Sequence, residues 1–259
     1  MINEFIQSIQ RVYGQDISTY DISFLKRTVE KRVEITESGS MPNYIIYLAS
    51  NADEASILFQ SLKNTHTEFF RNPLTFAHLE QWILPHLMEE KSDNDELRIW
   101  SAGCSSGQEV YSIAMLVESI NAKKKMKKRY RIIATDISES ALNMAKIGEY
   151  DEKDIQMIRV KDVQEFFVKS KEKYTVIDRL KQHVSFSTFD LLDNRSTYPQ
   201  ESIFGNFDLV VCSNLLFYYK PTYQHGIVKK LIGSMDEHGY LVTGEAEVQI
   251  IEKFKDLVM

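Results

Sequence analysis

The sequence predicts an α/β fold with a mostly parallel sheet, a small antiparallel β insertion and an all-α region in front of it. Three observations support this prediction. About the first ninety residues show helical periodicity, the residues from 97 onward alternate between strand-like and helical segments, and residues 98–112 lead from a strand through a glycine-containing loop into a helix. Alternating strands and helices form parallel sheets that helices cover on both faces.

The composition is that of an ordinary globular protein. Of the 259 residues, 43% are hydrophobic and 26% are charged, with a net charge of −6 that disfavours nucleic-acid binding. The two cysteines, Cys104 and Cys212, form no disulfide framework and indicate a reducing compartment. There is no signal segment, no apolar run of about 18 residues and no zinc-site spacing. We therefore expect a cytoplasmic monomer without membrane insertion or a bound metal.

Apolar residues at spacings of three and four predict a series of helices in the N-terminal region. They cover residues 3–13, 22–35, 42–48 and 52–62. Asn72 followed by Pro73 predicts a capped start for a fifth helix, and Pro85 predicts a kink late in it. The helical N-terminal domain is accordingly placed at residues 1–72, and the linker helix and connection at residues 73–96.

The remaining residues, 97–259, are predicted to form the α/β domain. Strands are expected over residues 97–102, 130–135, 184–189, 207–212 and 240–244, and helices over residues 109–120, 140–147 and 223–235. Residues 165–178 contain two short apolar runs around a charged turn, which predicts the small antiparallel insertion.

The glycine-containing loop predicts a nucleoside site. Gly103 and Gly107 are expected to let the backbone pass close to a ligand, and Asp136, at the end of the next strand, could accept hydrogen bonds from ribose hydroxyls. The loop is not GxGxxG, so it favours a nucleoside without phosphates over a dinucleotide. S-adenosylmethionine is the commonest such ligand. A glycine turn that binds nothing remains the alternative.

Three segments resemble the CheR family of chemotaxis receptor methyltransferases. They are NTHTEFFRNP at residues 64–73, WSAGCSSGQEVYSIA at residues 100–114 with ATDIS at 134–138, and FDLVVCSNLLFYY at residues 207–219. The resemblance covers roughly residues 10–247. It implies a Rossmann-like S-adenosylmethionine-dependent methyltransferase fold. It also implies methyl transfer to glutamate side chains of chemoreceptors, which gives γ-glutamyl methyl esters and S-adenosylhomocysteine.

The resemblance also implies the site residues. Together with Gly103, the cofactor-binding residues would be Thr65, Thr67, Arg71, Glu109, Asp136, Asp190, Leu191, Ser213 and Asn214. The sequence departs from the family pattern at two of these positions, where Thr65 stands for a common Asn and Ser213 for a common Arg. It departs also at Gln108, beside Glu109, where a Glu is common. Methyltransferases of this fold usually add a strand after residue 244, so the chain is expected to be truncated or to close its sheet differently.

A glutamate carboxylate needs no general base, because it is already ionised at neutral pH. We therefore expect the catalytic residues to act by binding and orientation. Arg71 would hold the incoming carboxylate, and Tyr218 would orient it through its hydroxyl group. Two alternatives stay open: a methyltransferase of the same fold with another protein or small-molecule acceptor, and a non-catalytic S-adenosylmethionine-binding docking module.

Charged segments indicate how a receptor could be contacted. Lys26, Arg27, Lys31 and Arg32 are predicted to form one basic face of the second helix, and in the family such a helix faces the acidic receptor bundle. A solvated helix face is the alternative. The basic segment at residues 123–131 is interpreted as a solvated loop. The turn at residues 169–173 lacks glycine, so we predict that the chain does not dock on a receptor pentapeptide.

Overall fold

The computed structural model describes residues 2–63, 66–202 and 205–257. The chain divides into two compact units: a helical unit of Met1–Asn64 with Leu215–His225, and an α/β unit of Thr65–Asn214 with Gly226–Met259. The helices in chain order are α1 (Ile2–Tyr13), α2 (Ile22–Ile35), α3 (Met41–Ser50), α4 (Ala52–Leu62), α5 (Pro73–His78), α6 (Leu84–Glu90), α7 (Gln108–Lys124), α8 (Glu139–Ile147), α9 (Val160–Phe166), α10 (Asp178–Lys181), α11 (Pro221–Gly233) and α12 (Val248–Ile251). The strands are β1 (Glu96–Ala102), β2 (Arg129–Asp136), β3 (Glu149–Asp151), β4 (Phe167–Ser170), β5 (Lys173–Val176), β6 (Val184–Thr188), β7 (Phe207–Cys212) and β8 (Met235–Thr243).

Side-chain caps define where three helices of the helical unit begin. Asp21, Ser40 and Asn51 accept hydrogen bonds from the first-turn amides of α2, α3 and α4. The apolar faces of the four helices meet in a core that includes the fully buried side chains of Phe5 and Leu58. The predicted helical N-terminal region is therefore confirmed.

A buried ion pair in this unit corrects the predicted basic face. The Arg32 guanidinium donates to both oxygens of Glu54, at 2.8 Å from Nε and 2.5 Å from Nη2, and Tyr44 donates its hydroxyl hydrogen to Glu54 at 2.6 Å. The Arg32 side chain is only 12% exposed. Arg32 thus points into the unit, whereas Lys26, Arg27 and Lys31 are exposed. The prediction was wrong for Arg32 because spacing alone does not show a buried carboxylate partner.

The helix of residues 73–90 is interrupted by one π-helical turn, Leu79–Ile83, between α5 and α6. The Leu84 amide donates to the Leu79 carbonyl, five residues back. Pro85 has no N–H and its ring crowds the carbonyl four residues earlier, so the wider turn accommodates it. The sequence predicted a kink at Pro85, and the structure has a π-helical turn directly before that residue.

The start of this helix differs from the prediction in one respect. Asn72 occupies the N-cap position, but its backbone is left-handed and its side chain makes no capping hydrogen bond. Instead, Asn72 Nδ2 donates to Asn214 Oδ1 at 3.2 Å. The amide of Asn72 therefore joins two loops and does not cap the helix.

The central sheet of the α/β unit has the strand order β6-β2-β1-β7-β8, and every neighbouring pair is parallel. The middle strands are buried on both faces, as parallel strands under two layers of helices must be. The predicted α/β fold is confirmed, although β8 begins at Met235 and not at residue 240. Within the described part of the chain, residues 245–257 after β8 form short helices and no further strand.

A second, antiparallel sheet has the order β3-β5-β4. The predicted hairpin corresponds to β4 and β5, with Lys171 in a left-handed conformation at its turn. Strand β3 was not predicted, because three residues are too few to show a period of two.

Candidate functional site

The loop after β1 is closed by hydrogen bonds to the end of β2. The amides of Gly103 and Cys104 both donate to the Thr135 carbonyl, at 2.8 and 2.9 Å, and the Ser105 amide donates to Asp136 Oδ2 at 2.8 Å. Three successive N–H groups are therefore directed at the protein. A pyrophosphate binds such loops through free amides, so this geometry favours a ligand without phosphates.

The two glycines of the loop have left-handed backbones, with φ values of 80° at Gly103 and 92° at Gly107. A Cβ atom at Gly107 would lie 2.9 Å from the Ala145 Cβ and 3.2 Å from the Tyr150 hydroxyl. Glycine is thus required at position 107 by the packing of α8 and Tyr150. The expectation that Gly107 also lets the backbone pass close to a ligand stays a prediction.

Asp136 ends β2 with a carboxylate whose orientation is fixed by two backbone amides. Its Oδ1 accepts from Ser138 and its Oδ2 from Ser105, each at 2.8 Å. The residue is partly exposed at the carboxyl edge of the sheet, where open α/β sheets bind ligands.

Glu109 lies in the first turn of α7 and is the strongly perturbed carboxyl group of this edge. Ser101 donates to it at 2.8 Å. Burial raises its pKa to about 7, and the charge of Glu247 adds to this, while hydrogen bonds from Ser101 and Ser213 and the charge of Arg71 act in the opposite direction. Arg71, Ser213 and Glu109 therefore share one electrostatic environment. Ser213 replaces the Arg of the family pattern and bonds the carboxyl group directly.

Arg71 is held in a constrained backbone segment. Phe70 and Asn72, on either side of it, have left-handed φ values of 52° and 61°. This conformation costs a residue with a side chain about 1–2 kcal/mol, and it is maintained by the Phe70 amide, which donates to the Ser112 hydroxyl at 3.0 Å. The Arg71 guanidinium donates to the His66 carbonyl at 3.1 Å. The segment thus presents a cation with limited freedom.

The remaining predicted ligand residues follow β6 and β7. Asp190 accepts from the Leu192 amide at 2.8 Å, and Leu191 is buried. Asp190 lines a cleft of about 510 Å³ whose walls are Thr188, Phe189, Asp190, Asp193, Arg195, Ser196, Gln200 and Glu201. Asn214 follows β7 and has a left-handed backbone with φ 60°. Thr67 is partly buried before Arg71, and Thr65 lies outside the described residues.

Tyr218 belongs to the helical unit. Its ring packs on Phe24 of α2 at a centroid distance of 4.7 Å and on Phe217 at 4.5 Å. Its backbone carbonyl accepts from the Asp21 amide at 2.7 Å. The start of α2 and its cap therefore fix the position of Tyr218 within that unit.

Two residues of the α/β edge were missed by the sequence analysis. Ser112 is fully buried, accepts from Phe70 and donates to the Gln108 carbonyl at 2.7 Å. Glu247 is also fully buried and accepts the amides of Asn214 and Gly244. Ser112 has no local sequence signal. The run GEAE at residues 244–247 offered one for Glu247, since a carboxylate three residues after a glycine can reach back to its amide.

The described ranges contain neither a cluster of metal-ligating side chains nor a helix that could cross a membrane. No group of three or more His, Cys, Asp or Glu side chains there could hold a metal ion. In the same ranges no helix has the length and apolar character that a membrane crossing requires.

Comparisons with known proteins agree with the geometry. Residues 65–257 match the family model described as CheR methyltransferase, SAM binding domain. The chain is 28% identical to the chemotaxis protein methyltransferase of Borreliella burgdorferi, over 95% of this chain and 87% of that protein. It is 31% identical to a probable chemotaxis protein methyltransferase of Rhizobium etli, over 87% of this chain and 84% of that protein. It is 32% identical to chemotaxis protein methyltransferase 1 of Pseudomonas aeruginosa, over 74% of this chain and 69% of that protein. The chain belongs to the CheR methyltransferase family and is an S-adenosylmethionine-dependent methyltransferase.

Proposed function

We propose that this protein transfers the methyl group of S-adenosylmethionine to glutamate side chains of chemoreceptors, forming γ-glutamyl methyl esters. The observation that carries the proposal is Arg71, a cation held between two left-handed residues and within electrostatic range of Glu109. A planar guanidinium on a constrained backbone recognises carboxylates by paired hydrogen bonds. The names of the relatives supply the receptor as the protein that carries the carboxylate.

The residues of the α/β unit suit S-adenosylmethionine. The cofactor presents a ribose diol and two positive charges and carries no phosphate, and the edge of the sheet offers carboxyl groups while its loop amides are engaged. Asp136 would accept the diol, and Glu109 would pair with a positive charge. Gly103, Asp190, Leu191, Ser213 and Asn214 would form the rest of the cofactor contacts, with Thr65 and Thr67 beside Arg71.

The bound cofactor supplies an electrophilic methyl group on a sulfonium sulfur. The task of the chain is then to bind the acceptor carboxylate, align it and exclude water from it. Arg71 would hold the carboxylate, and the hydroxyl of Tyr218 would orient it. Because a glutamate is ionised at neutral pH, no general base is needed. Alignment of reactants contributes up to about 7–11 kcal/mol to such reactions.

We propose that this protein is a monomer and that it binds the helical bundle in the cytoplasmic part of the receptor. The exposed cations of α2, Lys26, Arg27 and Lys31, would face acidic side chains of that bundle. Lys26 also pairs with Glu30 at 3.8 Å on the solvent side. An exposed pair of this kind contributes little, so it does not prevent Lys26 from exchanging partners.

The test uses methyl-labelled S-adenosylmethionine and a panel of chemoreceptor cytoplasmic fragments. We expect protein-bound label that mild base releases as methanol. Arg71→Ala should lower kcat by roughly a hundredfold or more, because the acceptor is no longer oriented. Arg71→Lys is the matched control: it keeps the charge but loses the planar fork and should recover only part of the rate.

Two results would contradict the proposal. Label that resists mild base would identify an acceptor other than a carboxylate. A protein that binds S-adenosylhomocysteine but labels no receptor fragment would act on a different substrate.

A further inference from the structure

One buried carboxylate joins the loop after β7 to the end of β8. Glu247 Oε2 accepts the Asn214 amide at 2.8 Å and the Gly244 amide at 2.9 Å, and the residue is fully buried. The bond to Gly244 is the reach-back contact that caps a helix start. The bond to Asn214 is not part of a cap, because it crosses to a different loop.

The fit around this carboxylate leaves no spare room. A Cβ atom at Gly244 would lie 2.8 Å from Asn214 Nδ2 and 3.0 Å from Glu247 Oε2. The two loops therefore approach each other as closely as their backbones permit. Such an approach fixes the orientation of the Asn214 side chain.

Asn214 transmits this orientation to the segment that carries Arg71. Its Oδ1 accepts from Asn72 Nδ2 at 3.2 Å, and both asparagines have left-handed backbones with φ near 60°. Asn72 directly follows Arg71. We call the four residues Glu247, Gly244, Asn214 and Asn72 the clamp.

We propose that Glu247 is a positioning residue for methyl transfer, which acts through Asn214 and Asn72 to fix Arg71. The inference rests on the proposed function of Arg71 as the group that binds the acceptor carboxylate. Burying a carboxylate costs free energy unless strong hydrogen bonds compensate. Two short bonds from amides to one oxygen compensate here, and they also join the ends of two strands at the candidate site.

Two substitutions separate the hydrogen bonds of Glu247 from its charge. Glu247→Gln keeps one carbonyl oxygen, which can accept both amides, and removes the charge. Glu247→Ala removes the acceptor. A third variant, Asn72→Asp, keeps the shape and the left-handed tolerance of residue 72 but replaces the donor that faces Asn214 with an acceptor.

For the full chain assayed with labelled S-adenosylmethionine and receptor fragments, we expect Glu247→Ala to lower kcat by roughly 10- to 100-fold. Glu247→Gln should restore kcat to within about threefold of the unsubstituted protein. Asn72→Asp should lower kcat in the same way, because it removes the donor that faces Asn214. A role in general stability would not produce the rescue by Glu247→Gln.

Three results would overturn the inference: unchanged kcat in folded Glu247→Ala, a rate in Glu247→Gln as low as in Glu247→Ala, or unchanged kcat in Asn72→Asp. If Glu247→Ala fails to fold, the rates of Glu247→Gln and Asn72→Asp still test the inference.

Hydrogen exchange of backbone amides tests the clamp without the methyl-transfer assay, so it distinguishes a failure of the clamp from a failure of the proposed function. Even if the unsubstituted protein labels no receptor fragment, the Phe70 amide should exchange at least roughly tenfold faster in Asn72→Asp than in the unsubstituted protein, and equal exchange would overturn the clamp.

Discussion

If Glu109 binds the cofactor as proposed, the affinity for the cofactor should depend on the pH of the solution. Its carboxyl group has a pKa of about 7, raised mainly by burial, so it is about half ionised at neutral pH. Only the ionised form could pair with the positive charges of S-adenosylmethionine. Affinity should therefore rise with pH through 7.

We expect S-adenosylmethionine to bind about tenfold more weakly at pH 6 than at pH 8, because the ionised fraction of a group with this pKa changes by that factor. Calorimetric titration at both pH values measures it. Glu109→Gln should bind weakly and with little pH dependence. An unchanged slope in Glu109→Gln would show that another group is responsible.

In the ligand-free protein, the contribution of Glu109 to folding stability changes with pH in the opposite direction to the cofactor affinity. The folded-state pKa of Glu109 lies above the ordinary value of 4.5, so the folded state binds its proton more tightly than the unfolded state. The contribution of this residue to stability is then present below pH 4.5 and is lost as pH rises to about 7. Cofactor binding would offset that loss at neutral pH.

For single residues, the sequence predicted which positions matter better than it predicted why they matter. Gly107 was expected for its flexibility near a ligand, and its neighbours are Ala145 and Tyr150. Ser112 carried no signal, because a buried serine in a helix has the same sequence pattern whether or not another loop bonds to it. Contacts between residues 42 positions apart cannot be derived from local periodicity.

Among the elements, the packing of α8 on the glycine loop gives a direct prediction. Gly107→Ala should lower the free energy of unfolding by at least about 1–2 kcal/mol, since the backbone is left-handed and the new Cβ meets Ala145 at 2.9 Å. Urea unfolding measures the change. Gly226→Ala is the control: that site in α11 has open space, and alanine should stabilise it by up to about 1 kcal/mol. Equal effects of the two changes would contradict this account.

The cationic side chains of α2 also differ in their expected contribution to stability. Arg32→Ala leaves the buried Glu54 without its ion-pair partner and should destabilise the protein by about 3–5 kcal/mol. Lys31→Ala, on the exposed side of the same helix, should change stability by no more than about 0.5 kcal/mol. Denaturant titration distinguishes them, and a small effect of Arg32→Ala would mean that the pair is not buried in solution.

Element prediction succeeded where the apolar pattern was long and failed where it was short. The helices of the first unit and the five strands of the central sheet follow from periodicity over many residues. Strand β3 has three residues, and the early start of β8 at Met235 lies among polar and charged residues. In both places the pairing of strands, which is a tertiary contact, determines the structure.

On the scale of the whole molecule, the net charge of −6 and the cationic side of α2 have opposite signs. If that side meets an acidic receptor, association should weaken as salt screens it. We expect kcat/KM for a receptor fragment to fall several-fold between about 0.05 and 0.5 M salt, with kcat little changed.

The variant Lys26→Gln/Arg27→Gln/Lys31→Gln should have a lower kcat/KM at low salt and a smaller salt dependence. Lys123→Gln/Lys125→Gln/Lys127→Gln changes the net charge equally, at exposed positions in the last turn of α7 and directly after it, and is the matched control. If both triple variants behave alike, net charge and not the α2 surface governs association.

The site as a whole illustrates what a single sequence can supply. Parallel strands place the loops after β1, β2 and β7 at one edge, and this much follows from the predicted order of elements. The resemblance to the family supplied Arg71 and Glu109. The hydrogen bonds from Glu247 to Asn214 and from Asn72 to Asn214 could not be predicted, because they depend on how closely two loops approach.

The π-helical turn at Leu79–Ile83 amounts to one extra residue in an otherwise regular helix. The wider turn absorbs this extra residue, so α5 and α6 keep about the relative rotation of a regular helix that is one residue shorter. Deleting one residue from Leu79–Ile83 should therefore restore uniform α-helical pitch and leave Phe76 packed on Phe70, at a centroid distance of 5.3 Å. Deleting one residue from the regular turns of α6 would instead rotate the residues before it by about 100° relative to those after it. The π turn is thus the place where this helix can lose a residue without moving the ring that packs beside Arg71.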